Sequence, residues 1–342
     1  PAFAPKRIAK YGEAMVDETE RQIASWRDGA TIDVASEMMQ MTLAIAGKTL
    51  FGADVRGDAD VVDRGLTLAM HSLIDNLESW VRLPYPWPLP RHLRMRKAIR
   101  LLDDVVYRMI REGRVRGTDQ GDVLSILLLA RDDEDGTGLD DRQVRDEVMT
   151  LLLAGHETTA NVLSWTWYEL VRNPDVARRI EAEIAEVIGD RRATAADAAN
   201  LVYTLQVIEE AMRLHPPAYL TARETRREVE IGGTTFPAGQ TILVNIRGIH
   251  QRADYWNDPF AFRPDRMAVA EKKARPRGRY LPFGAGPRVC IGAHFALIEA
   301  QLCLATMIRR VRLESAFTGI IEPEPLVTLR PRGGVPMKVH RR

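Results

Sequence analysis

Residues 280–292 read Tyr-Leu-Pro-Phe-Gly-Ala-Gly-Pro-Arg-Val-Cys-Ile-Gly, and the rest of the chain is best read outward from them. Three glycines and two prolines surround Cys290, a composition that cannot form regular structure. Immediately downstream, apolar residues recur at helical spacing from about Gly292 to Arg309, so the cysteine lies just before a helix. A helix start offers unpaired N–H groups and the positive end of the peptide dipole, both of which favour an anionic sulfur able to bind metal. Gly284 and Gly286 let the backbone turn closely around that sulfur, and Arg288 adds positive charge beside an anionic ligand. A lone cysteine in a turn is more commonly an inert small residue, so the weight falls on the spacing of the whole stretch.

Upstream, from Ile8 to about Arg227, apolar residues recur mostly at helical spacing, interrupted by turn clusters at residues 84–88 and 132–138. The clearest helix begins after Leu139, where Asp140 and Gln143 have the offset of a capping box. Its stripe of Val144, Val148, Leu151, Leu152, Val162 and Leu163 predicts a long helix that stops near Asn173-Pro174. At its middle the stripe breaks at Ala154-Gly155-His156-Glu157-Thr158-Thr159. An interior glycine costs about 1 kcal/mol relative to alanine, which invites a reason such as close approach of a ligand. A threonine hydroxyl there can bond a carbonyl one turn back and open a groove. His156 lacks the second histidine of H-E-x-x-H, so it reads as a surface or core histidine rather than a zinc ligand.

A second helix, from about Tyr203 to Leu214, ends at His215-Pro216-Pro217 and carries Glu210 and Arg213 three residues apart on one face. Alternation at Val229 and Ile231, a turn at Gly232-Gly233, and Ile242, Val244 and Ile246 beyond it predict a hairpin. Val327, Leu329, Val335, Met337 and Val339 around Gly333-Gly334 predict a closing pair of strands. The expected fold is mainly α with small, late β-sheets, and with no repeat or linker in view residues 1–342 read as a single domain.

With 342 residues, 45% of them hydrophobic, the chain can bury a large core. Lysine and arginine number 48 against 47 acidic residues, so charge offers no case for nucleic acid. Two cysteines are too few for a disulfide framework and lack Cys-x-x-Cys spacing, which makes a reducing, cytoplasmic setting the expectation and leaves Cys303 as a small core residue. The opening Pro1-Ala2-Phe3-Ala4-Pro5 carries no leader, and no apolar run is long enough to span a bilayer, so any anchor would lie upstream.

Phe283, Gly286, Arg288, Cys290 and Gly292 fill F-x-x-G-x-R-x-C-x-G without departure, and this resembles the haem-binding signature of the cytochrome P450 family. The resemblance implies haem b held by Phe283, Gly284, Gly286 and Gly292, with the Cys290 thiolate as the fifth iron ligand and its electron donation favouring O–O cleavage. Arg288 would meet a haem propionate, and Arg223 is a second candidate for the same contact. Ala154-Gly155-His156-Glu157-Thr158 is similar to the family's oxygen-activation segment, which implies that Ala154 and Gly155 border the haem. Thr158 would then hydrogen-bond the dioxygen, and Glu157 would connect a proton supply to it. Glu210, Arg213 and Arg266 resemble the family's structural triad, although Asp265 and Met267 replace the commoner Glu and Phe beside Arg266. Family members normally carry a further N-terminal segment, so the expected architecture is a cytochrome P450 fold lacking it.

By that resemblance the protein is a monooxygenase inserting one oxygen atom from dioxygen into a lipophilic substrate, acting as a monomer. Leu152, Leu153, Ala154, residues 218–220 and Ile320-Ile321 would stand above the haem. With no dinucleotide fingerprint in view, electrons would come from a separate ferredoxin, flavodoxin or reductase. Lys272, Lys273, Arg275, Arg277 and Arg279 precede the cysteine loop and are candidates for steering an acidic donor, or equally a solvated basic stretch. Rival readings are a haem-thiolate isomerase or dehydratase, against which Glu157 and Thr158 argue, a non-catalytic haem-binding protein, and a helical module without cofactor.

Overall fold

A computed structural model describes residues 3, 5–79, 87–132 and 134–342; most of the turn expected at residues 84–88 lies outside them. The chain runs α1 (Pro5–Ser25), β1 (Thr31–Asp33), α2 (Val34–Leu50), α3 (Ala59–Glu78), α4 (Pro90–Arg116), α5 (Val123–Leu129), α6 (Asp141–Arg172), α7 (Pro174–Val187) and α8 (Val202–Leu214). It continues through β2 (Leu220–Glu224), β3 (Val229–Ile231), β4 (Thr234–Phe236), β5 (Thr241–Asn245), α9 (Ile246–His250), α10 (Val269–Ala274) and α11 (Ala293–Arg310). The last elements are β6 (Val311–Ser315), β7 (Pro323–Pro325), β8 (Leu329–Pro331) and β9 (Pro336–Arg341). The mainly α expectation holds, since helix makes up 58% of the structure and the sheets are small and antiparallel.

Local chemistry sets the helix limits. Asp140 accepts from Gln143 N at 2.8 Å while the Gln143 side chain accepts from Asp140 N at 2.9 Å, so the capping box starts α6 where the sequence placed it. Pro174 ends α6 and opens α7 at its first position, the place where a missing N–H costs least. The α6 helix packs against α2, α4, α8 and α11, and its Leu163, Trp165 and Tyr168 lie inside one continuous apolar core. Helix α3 gives Val62 to this core, and its Leu66 and Met70 form with Leu326 a separate small cluster bordered by Leu153 of α6.

Two strand expectations change. The Gly232-Gly233 turn does make a hairpin, but of β3 with β4; Ile242 and Val244 belong to β5, which pairs with β2, and Ile246 opens α9. In the tail, β8 pairs with β7 while β9 lies between β1 and β6, so the strands flanking Gly333-Gly334 do not pair with each other. Alternating apolar residues specify a pleated segment without naming its partner. The early β1 was hidden by its length of three residues.

Asp33 ties this sheet to the helices. Its carboxylate caps α2 by accepting from Ala35 N at 3.1 Å and accepts from Val335 N at 2.7 Å. Gly334 has φ +83°, and a Cβ there would stand 2.5 Å from both Asp33 carboxylate oxygens. Gly334→Ala is expected to destabilise the fold by about 2 kcal/mol or more, from left-handed strain plus displacement of the cap, measurable as a lower denaturation midpoint.

Candidate functional site

The centre of the site is organised from behind by one guanidinium. Arg213 is fully buried and its five N–H groups meet five acceptors. Two are the Glu210 oxygens at 2.8 Å each; the others are the carbonyls of His250 at 2.9 Å, Pro259 at 2.6 Å and Ala261 at 3.1 Å. Glu210 also accepts from Arg263 N at 3.0 Å, and Arg266 Nε stands 3.4 Å from its Oε1 without completing a hydrogen bond. Arg266 donates instead to the carbonyls of Asn257 and Asp258, the latter at 2.6 Å. The three residues that the resemblance groups as a triad therefore do meet.

From this hub two ties run to the start of the cysteine loop. His250 accepts from Leu281 N at its Nε2 at 2.8 Å, and Tyr280 donates to Glu209 O at 2.8 Å. The loop then closes through Gly284 N to Leu281 O, Val289 N to Gly286 O and Cys290 N to Phe283 O, each at 3.0–3.1 Å. Gly284 and Gly286 take φ of +73° and +77°, with nothing within 4 Å of where a Cβ would stand. Cys290 is exposed between exposed Val289 and Ile291, and Arg288 is exposed at the end of a short 3-10 turn. A Cβ on Gly292 would lie 3.9 Å from the Cys290 sulfur. The result is a thiol on a rigid, glycine-turned shelf with apolar flanks and open space in front. That donor set fits a flat, apolar, metal-centred macrocycle such as haem.

On α6, Thr158 donates back to Ala154 O at 2.7 Å, as expected for a hydroxyl that opens a groove, and Ala154 is exposed. Glu157 faces elsewhere. It is 3% exposed, and one oxygen accepts from Thr328 Oγ1 at 2.5 Å and Arg330 Nε at 2.8 Å. Arg330 also reaches α3 through Thr67 at 3.3 Å and Asp63 at 3.9 Å. A cavity of about 220 Å3, whose lining includes Asp60, Asp63, His156, Asn161 and Arg330, opens on the Arg330 side of this pair. The break in the apolar stripe and the resemblance pointed to Glu157 but gave no sign of Arg330 or Thr328, which lie 171 or more residues away in the chain.

Other expected residues separate. Gly155 was read as a place where a ligand approaches; its open side faces α2, where a Cβ would stand 3.3 Å from Leu50, so helix packing explains it. His156 is a core histidine bonded to Leu152 O at 2.7 Å, and burial pushes its pKa down. Arg223 is exposed on β2 and bonds Thr221 Oγ1 and Ala222 O. Cys303 is buried, and its thiol is pushed up by burial and the neighbouring Glu299. In the basic stretch Lys272 pairs with Glu209 at 2.5 Å, and Arg275 donates to Arg266 O and lies over Trp256, leaving Lys273 and Arg277 the more exposed cations.

A family model described as Cytochrome P450 matches residues 4–335. The chain is 38% identical to cyclooctat-9-en-7-ol 5-monooxygenase of Streptomyces melanosporofaciens, over 92% of this chain and 68% of that one. It is 33% identical to pentalenene oxygenase of Streptomyces avermitilis, over 96% of this chain and 73% of that one. The crystal structure of the cytochrome P450DA heme domain is similar at TM-score 0.89 and 28% identity, covering all of this chain and 75% of its own.

Two outcomes follow from the hub. Glu210→Gln leaves the Arg213 charge without a counter-ion in the core and is expected to cost about 3–5 kcal/mol in chemical denaturation, with loss of bound haem. His250 is held down to about 4 by burial and by Arg213, below its ordinary 6.5. As pH falls from 6.5 toward 4 the unfolded chain takes up a proton that the folded chain refuses, so stability should drop by about 1.4 kcal/mol per unit from this group. Denaturation midpoints across that window should fall less steeply for His250→Gln.

Proposed function

Because the chain belongs to the cytochrome P450 family and is a haem-dependent monooxygenase, we propose that Cys290 is its axial thiolate and that α6 carries its oxygen-handling groups. The carrying observation is the exposed sulfur on the Gly284–Gly286 shelf, tied through His250 and Tyr280 to the buried Arg213 hub. Haem bound there supplies the redox iron that activates dioxygen, with thiolate donation favouring O–O cleavage.

Around it, Phe283, Gly284, Gly286, Gly292 and Ala154 give a close-fitting border, and Arg288 and Arg223 are the exposed cations available to two propionates. Thr158 holds a hydroxyl over the groove, already ordered by Ala154 O, and hydrogen-bonds the oxygen substrate. Glu157 moves protons: its carboxylate is paired with Arg330, which lines the neighbouring cavity, and it passes protons from that side to Thr158. The Arg330 pair must loosen for each transfer, which makes Arg330 a positioning residue for Glu157.

The substrate is lipophilic and rich in hydrocarbon. Leu220 and Leu243 stand exposed on β2 and β5, and Ile320 is 69% exposed near the tail. Open apolar side chains of this kind suit an apolar ligand. The relatives named for cyclooctat-9-en-7-ol and pentalenene, an alkenol and an alkene by those names, agree with that class. Electrons come from a separate acidic donor steered by Lys273 and Arg277. Residues 1–342 act as one haem domain, monomeric and cytoplasmic; among the described residues no helix is long and apolar enough to cross a membrane.

Turnover with 18O-labelled dioxygen and a panel of cyclic alkenes, chosen by ligand-induced spin-state change, tests the reading. One labelled oxygen per product is expected, and product without label overturns it. Thr158→Ala should lower product formation about a hundredfold while peroxide release rises, the effect of removing a positioned proton-handling group.

A further inference from the structure

A groove of about 440 Å3 lies between the start of α11, α8, the 3-10 turn at Ala195–Ala199 and the start of α10. Val202, Leu205, Met267, Leu297 and Ile298 make its walls mainly apolar, and its volume is that of a small-molecule site. Two buried amides interrupt those walls. Gln301 is 3% exposed, and its Nε2 donates to Ala198 O at 2.8 Å and to Leu201 O at 3.0 Å. Both amide protons are thereby used, which leaves the oxygen as an acceptor turned away from those carbonyls. Gln206 is 9% exposed, its Oε1 is buried without a partner, and its Nε2 makes no hydrogen bond among the described residues. A buried amide that bonds nothing is costly to the fold, so its place in the wall of a groove points to a group that arrives from outside. Charge narrows the chemistry of that group. Lys272 at the rim is paired with Glu209 at 2.5 Å, and His294 is the other titratable lining residue and lies exposed, so nothing in the groove calls for an ion.

We propose that this groove is a second small-molecule site, separate from the Cys290 shelf, and that it takes a neutral, hydrocarbon-rich alcohol. The hydrocarbon covers the apolar walls. A hydroxyl both donates and accepts, so it serves the Gln206 amide at either end, and Gln301 Oε1 offers a further acceptor. A ketone of the same shape only accepts and leaves both glutamine oxygens unserved. Because His294 and Leu297 lie on the first turns of α11, the occupant rests against the helix that leaves the cysteine loop. The site is built from protein groups alone and stands whether or not Cys290 binds iron.

Isothermal titration of the haem-loaded full chain with decahydro-2-naphthol and with its ketone, 2-decalone, tests this, while binding at the haem face is counted separately by the spin-state change of the haem. The alcohol should occupy one further site, about tenfold more tightly than the ketone. Gln206→Leu keeps an apolar wall and removes the amide, and should weaken the alcohol at that site about tenfold. Val202→Trp narrows the opening from an exposed position on α8 and should weaken both compounds there; it carries the test alone if the leucine variant does not fold. Neither variant should alter the spin-state response. The proposal is overturned if the alcohol binds nowhere beyond the haem face, which would leave water as the amide's partner. It is overturned equally if the folded variants bind the alcohol at the further site as tightly as the parent does.

Discussion

A single buried cation, Arg213, decides whether the remaining parts of the site can exist. Each of its N–H groups is used, by the Glu210 carboxylate on its own helix and by carbonyls of α9 and the segment after α9, so one side chain ties two further pieces of backbone to α8. Burying that charge is worthwhile only with Glu210 opposite it, and each of the Glu210 oxygens is held in turn. The consequence for function is geometric. The His250 backbone binds Arg213 while its ring binds Leu281, and Tyr280 is tied to the residue preceding Glu210. A loop with glycines at positive φ would otherwise wander; anchored this way, it presents Cys290 in one place.

His250 shows how finely that anchoring is set. Accepting from Leu281 at Nε2 requires an unprotonated nitrogen there, so the neutral ring is the structural one. Its Nδ1 has no partner, and the nearby Arg213 charge opposes protonation at either nitrogen. The same cation therefore acts on the loop through His250 in two ways, by holding its backbone carbonyl and by keeping its ring in the state the loop needs.

Much of this was legible in the sequence, and the reasons are specific. Cys290 and its neighbours share one short loop, so their spacing carries their geometry. Glu210 and Arg213 lie three apart on a helix, which forces them to one face, and Asp140 with Gln143 marked the start of α6 to the residue. Long-range choices were not legible. Ile242 and Val244 announce a strand equally well whether β2 or β4 is the partner, and the choice of β2 follows from tertiary packing. Glu157 was found by its neighbours in sequence, but its orientation depends on Arg330 on β8. Gly155 signalled a close approach without naming its partner, and Leu50 of α2 comes near.

The α6 helix thus packs the core while holding Glu157 against Arg330 and the Thr158 hydroxyl against Ala154 O, the two groups proposed for its chemistry. All of that chemistry presupposes a sulfur-to-iron bond at the shelf. The most direct measurement is the absorbance difference produced by carbon monoxide on the reduced, haem-loaded chain and on its Cys290→Ser variant. The account predicts the strongly red-shifted band of a thiolate-ligated haem in the parent and its loss in the variant. A parent lacking that band, or a variant that keeps it, would contradict the assignment of Cys290.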